Sequence, residues 1–160
     1  MFDMNILVSR RALLATLVAI AAAAPSFARA QGMEKFKTSK LSIISGGKRH
    51  DFTVELAITD RQQQQGLMFR RTLAPDAGML FDYVTPTRIT MWMKNTLIPL
   101  DMIFIGADGK IVDIAERAVP QSETIIPSKV PARAVLELNG GTAQRLGIKV
   151  GDTVVTPDLK

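Results

Sequence analysis

Two carboxylates stand where apolar residues would be expected. Asp101 opens the run DMIFI, and Glu137 interrupts AVLEL. DMIFI is apolar on both faces of a strand, Met102 and Phe104 against Ile103 and Ile105. A doubly buried strand belongs mid-domain, so its leading acid needs a partner, with Arg70 or Lys94 as candidates. Glu137 lies opposite in parity to the core residues Leu136 and Leu138. Two semi-buried acids facing each other about 5 to 10 Å apart would suit acid/base hydrolysis of the glycosidic kind. The plainer role for each is to accept backbone amides or to pair with an arginine.

A second set lies in RITMWMKNTLIPLD. Ile89, Met91 and Met93 alternate along one face of an expected strand, and Trp92 shares the other face with Thr90 and Lys94. An aromatic ring on a polar face is either covered by a loop or a second sheet, or forms the wall of a cleft. Asn95, Thr96 and Pro99 follow on a connection, where binding groups tend to sit. The ligand-binding candidates are therefore Arg70, Trp92, Lys94, Asn95, Thr96, Asp101 and Glu137. Met91 and Met93 also place two thioethers on one face, a soft pair suited to Cu(I), although Met is equally a filler of cores.

Other chemistries are excluded by composition. The chain has one His and no Cys, too few ligands for zinc or most transition-metal sites. A Ser-His-Asp triad would have to use His50, which falls in the turn GGKRH with no nucleophile motif nearby. GADGK lacks the Gly-rich spacing and Lys-Ser/Thr ending of a phosphate loop and reads as a tight turn. No cofactor is expected.

The elements that must position these residues are mostly strands. LSIIS, the turn GGKRH and DFTVELAI form a hairpin, with Phe52, Val54, Leu56 and Ile58 alternating against Thr53, Glu55 and Ala57. TDRQQQQG carries the signals of one short helix: Thr59 or Asp60 as cap, Gln62 or Gln63 three residues on, and Gly66 as the stop. Its glutamines are read as a solvated face. GMLFDY, RITMWM, DMIFI, KIVDIAE and RAVLEL are further strands, and a second short helix and a closing strand follow Asn139. About eight strands and two short helices predict a mainly β domain, a β-sandwich or a small barrel.

The N-terminus has the form of a secretory signal peptide: Arg10-Arg11, an apolar run from Ala12 to Ala24, and a small-residue site ending Ala28-x-Ala30. The run is shorter than the roughly 20 residues a membrane-spanning helix needs. Residues 1–30 are expected to be cleaved, 31–40 to form a flexible leader, and 41–160 to be one domain. The protein is then periplasmic or extracellular, exported by the general secretory route or, on the strength of SRRALL, by the twin-arginine route. Removal of Arg10, Arg11, Arg29 and Asp3 lowers the net charge from +5 to +3. That value makes no case for nucleic acid or an anionic membrane as partner.

GLMFR (66–70), GMLF (78–81), WMKNTLIPLDMIF (92–104) and VLELNGG (135–141) occur in an order that resembles the bacterial and archaeal family called domain of unknown function 192. The resemblance extends from about residue 41 to 155. It implies a compact, mostly β, often exported domain and implies no activity. The residues favour an exported, non-catalytic domain that binds a small or extended ligand near 92–101. The rivals are a hydrolase using Asp101 and Glu137, and a Cu(I)-handling protein using Met91 and Met93.

Overall fold

The computed structural model describes residues 33–159. The expected signal peptide, 1–30, lies outside them. The described residues form a mainly β domain with nine strands and two short helices. β1 (Lys37–Ser45) and β2 (Lys48–Ala57) make the expected hairpin, turned at Gly46-Gly47. Both glycines have positive φ, 54° and 76°, as a two-residue hairpin turn matching strand twist requires. β1 starts at Lys37, inside the segment read as a leader, and Lys37 to Lys40 pair with Leu56 to Thr53. His50 accordingly belongs to β2 and not to the turn.

α1 (Asp60–Gln65) begins as its sequence signals ask. The Thr59 hydroxyl accepts from Gln62 N, and the Gln62 side chain accepts from Thr59 N in return, a reciprocal capping box. The helix is docked and not simply solvated. Gln62 Nε2 donates to Lys35 O at 2.8 Å, and Gln63 Nε2 donates to Asp82 O at 2.9 Å.

β3 (Ala77–Thr87), β4 (Thr90–Met91), β5 (Leu100–Ile105), β6 (Ile111–Ala118), β7 (Ile126–Pro127), β8 (Ala132–Asn139), α2 (Thr142–Leu146) and β9 (Thr153–Val155) complete the order. The RITMWM strand is thus reduced to two residues, which pair with β7. Met93 continues the extended chain by giving its N–H to Ser122 O at 2.9 Å.

Seven strands make one sheet in the order β6-β5-β8-β3-β2-β1-β9. It curls into a half-barrel, which selects the barrel side of the expectation over a sandwich of two packed sheets. The edges touch at one end, where Ile111 N donates to Asp152 O at 2.9 Å and Val154 N to Gly109 O at 2.8 Å.

A curled sheet has two faces, and each carries its own core. The inner face packs Leu41, Ile43, Phe52, Val54, Leu80, Ile103, Leu136 and Leu138. The outer face of β3, β5 and β8 packs Met79, Phe81, Met102, Phe104 and Val135 under Leu67, Ile89, Met91 and Met93. All six residues of β5 are buried, as a strand covered on both faces must be.

Candidate functional site

Glu137 stands in the outer core. Cross-strand pairing sets it beside Met79 on β3 and Met102 on β5, so a carboxyl group lies between two thioether side chains. It is 4% exposed, and among the described residues no hydrogen bond reaches its carboxyl. Burial alone pushes its pKa up to about 8, because a buried carboxylate loses hydration with nothing in return. The Tyr83 hydroxyl, which donates to Met91 Sδ at 3.6 Å, is itself pushed up to about 12 by burial and by the Glu137 carboxylate.

Above Glu137 lies a cavity of about 30 Å³, bounded by Gln65, Met68, Phe81, Met91, Trp92 and Thr96 among others. Gln65 Oε1 accepts Glu34 N at 2.7 Å, leaving Gln65 Nε2 buried without a partner. Two polar groups on one small cavity therefore lack protein partners, although buried polar groups are almost always paired.

The surrounding backbone is strained. Phe69 and Asn95 have φ of 65° and 56°, and Phe69 N donates to Asn95 O at 2.9 Å. Left-handed non-glycine residues are uncommon and gather at functional sites. Gly66 has φ 47°, and a Cβ there would lie 3.1 Å from Phe81 Cζ, so only glycine turns the chain from α1 into the cavity wall.

Of the residues singled out from sequence, Met91, Trp92, Thr96 and Glu137 meet at this cavity. Trp92 is 42% exposed at its rim, with the Lys94 ammonium 5.1 Å from its ring. Lys94 also reaches Glu123 at 3.7 Å. Asn95 adds Nδ2, donating to Met68 Sδ at 3.9 Å. Met93 is fully buried and Met91 8% exposed, both packed in the outer core. Arg70 pairs with Glu55 and lies over the Phe36 ring. Gln65, Gly66 and Met68 were not foreseen as site residues; their sequence signals are that a capped six-residue helix ends at Gln65 and that Gly66 and Met68 fall in the motif GLMFR.

Asp101 lies elsewhere. Its register partner is Leu138, whereas Glu137 pairs with Met102, so the pleat sends the two acids to opposite faces of the sheet. Fully buried, Asp101 accepts Arg117 N and Gly141 N through Oδ1 and Ala143 N through Oδ2, each at 2.8 Å. Neither Arg70 nor Lys94 is its partner; three backbone amides are. Through them it fixes the bulge of β6 and the start of α2, which lacks a side-chain cap of its own.

Glu137 is the one titratable group in the cavity lining. With its proton held to about pH 8, it is a hydrogen-bond donor at neutral pH, and Gln65 Nε2 is a second.

Comparison with solved structures gives two relatives at high identity. A Sinorhizobium meliloti 1021 protein, described provisionally as a transcription regulator, is 50% identical, with a TM-score of 0.76 over 78% of this chain and 98% of its own. A protein of unknown function from Novosphingobium aromaticivorans DSM 12444 is 45% identical, with a TM-score of 0.73 over 88% of this chain and 99% of its own. No curated protein matches the chain. The profile of the family DUF192, described as an uncharacterized ACR, matches residues 41–156. The chain belongs to the DUF192 family.

Proposed function

We propose that this is an exported binding domain, not an enzyme, and that it captures an uncharged, oxygen-bearing end group of a small or extended ligand in the Glu137 cavity. The observation that carries the reading is the buried, unpartnered Gln65 Nε2 on a cavity also lined by Glu137, whose desolvated carboxyl accepts no hydrogen bond among the described residues. A buried polar group left unsatisfied costs about 1–3 kcal/mol, a cost that an occupant would relieve. Both groups donate at neutral pH, so the matching chemistry is a carbonyl or hydroxyl oxygen. The cavity, about 30 Å³, exceeds the roughly 10–15 Å³ that admits one water and so takes one such group. The rest of the ligand then lies outward across Trp92.

Binding is favoured over hydrolysis because the cavity lining holds no second acid or base to work with Glu137. A role in reading DNA, as in the description of the Sinorhizobium protein, draws no support here: the two helices of the described residues have six and five residues, and helix-based readers lay a longer recognition helix in the major groove.

Trp92 is the only tryptophan, so its fluorescence reports on the rim directly. Neutral oligosaccharides and N-acetylated dipeptide amides are to be titrated from pH 6 to 9. A bound probe should lose affinity as pH rises through about 8, the pKa of Glu137. Glu137→Gln should bind without that pH dependence, and Glu137→Leu should not bind. A probe whose affinity is indifferent to Glu137→Leu would refute the site. Turnover of a probe that Glu137→Gln abolishes would favour the hydrolase.

A further inference from the structure

We propose that a second site, for a soluble oxyanion, lies at the end of the half-barrel where β8 runs into α2. A cleft of about 570 Å³ opens there between Arg117, Arg145, Gln144 and the turn Asn139-Gly140-Gly141. Its lining holds two arginines and no acidic residue. Among the described residues neither guanidinium forms an ion pair: the six that occur use Arg49, Arg61, Arg70, Lys94, Lys129 and Arg133. Two unpaired guanidinium groups on one concave surface set up a field that only an anion complements.

The arrangement is built. Arg117 has φ 50°, a left-handed conformation unfavourable for a side chain of its size, and it is held there by the Asp101 carboxylate on its N–H. The same carboxylate binds Gly141 N and Ala143 N, so one buried acid locks the arginine strand to the opposite wall. The Arg117 guanidinium lies against the bare backbone of Gly141. A Cβ there would come within 2.9 Å of Nη2. Arg117 Nη2 donates to Gln144 Oε1 at 2.8 Å, which orients the fork and leaves its other N–H groups, on a residue that lines the cleft, without a partner among the described residues. The Ala143 N–H, one of α2's first amides, is already taken up by Asp101, as is the cap residue's own N–H, so the guanidinium groups carry the recognition. Asp101 is a positioning residue for this cleft, which supplies a role for an acid that the Glu137 cavity does not use.

The ligand class is a small molecule bearing two or more oxyanion groups, carboxylate or phosphate, able to bridge Arg117 and Arg145. The test titrates citrate and, separately, inorganic phosphate into the protein, by calorimetry and by NMR of the arginine Nε–Hε signals. Citrate is expected to bind and to move the Arg117 and Arg145 signals ahead of other arginines. Stronger binding of phosphate would assign a phosphate ester instead of a polycarboxylate. Arg145→Gln and Arg117→Asn should each weaken binding by about tenfold, the loss of one charge-assisted contact, and the pair together should abolish it. Asn tolerates the left-handed backbone at 117, and an unchanged thermal midpoint shows that the fold is kept. Citrate binding that survives the double substitution, or signal changes spread evenly over all arginines, would overturn the proposal.

Discussion

Replacing Glu137 with glutamine removes one ionisable oxygen and leaves the shape of the side chain. In the native protein the carboxyl holds its proton to about pH 8, whereas the ordinary value is 4.5. Between those limits the native state binds a proton that the unfolded chain has released, so stability falls as pH rises. The slope is about 1.4 kcal/mol per pH unit. The whole interval amounts to roughly 5 kcal/mol, of which about 3 has been lost by pH 7. Glutamine does not titrate, so Glu137→Gln should match the parent to within about 1 kcal/mol near pH 4.5 and exceed it by several kcal/mol at pH 9. Urea unfolding of both proteins at pH 4.5, 7 and 9 measures the difference, and the titrating groups that do not sense Glu137 cancel in it. A difference that stays constant across the three values would refute the reasoning, because a carboxyl that ionises equally in both states contributes no slope.

The other expectations are simpler to state. Trp92→Ala, at a rim position 42% exposed, should change stability by no more than about 1 kcal/mol; a loss of about 3 or more in thermal unfolding would put the ring in the core. Met93→Ala, by contrast, empties a fully buried position and should cost roughly 2–5 kcal/mol, with no dependence on added Cu(I). Asp101→Asn turns an amide NH₂ toward either Ala143 N–H or the Arg117 and Gly141 N–H groups, a loss of roughly 3 kcal/mol that should also loosen α2 in hydrogen exchange. Mass spectrometry of the secreted protein should find its N-terminus at Gln31 or within a few residues, and an intact Met1 form in the membrane fraction would argue against cleavage.

Where a side chain points was legible along most alternating runs, though not at the end of DFTVELAI, where β2 stops at Ala57, which is buried while Ile58 is exposed. Trp92 faces out while Met91 and Met93 face in, even though only Thr90 and Met91 are paired as a strand, because an extended chain alternates with or without a ladder. Asp101 and Glu137 were both recognisable as acids in apolar runs. Their separation was not, since it depends on which residue of β8 stands opposite which residue of β5, and that register is set by long-range pairing. The choice between sandwich and barrel was hidden for a similar reason: β1 reaches the end of the chain through contacts such as Ser45 Oγ to Gly147 O. Gln65 looked solvated in a run of four glutamines, and only the docking of a helix shorter than two turns shows that its amide faces inward.

The latch between the two sheet edges is short, and that bears on how the protein behaves at high concentration. β9 covers only Ser42 to Ile44 of β1, and its isolated bridge to Lys110 stops just before β6. The remaining outer edges of both strands have no strand neighbour among the described residues, which would ordinarily invite another chain to add itself to the sheet. On β1 that stretch carries Lys37 and Lys40, and on β6 it carries Glu116 and Arg117, all four exposed. An incoming strand would have to strip water from these charges before its first hydrogen bond formed. Neutralising Lys37 and Lys40 should therefore leave the fold intact while making the protein prone to edge-to-edge aggregation, a liability this chain, without a single cysteine to cross-brace it, holds off with surface charge.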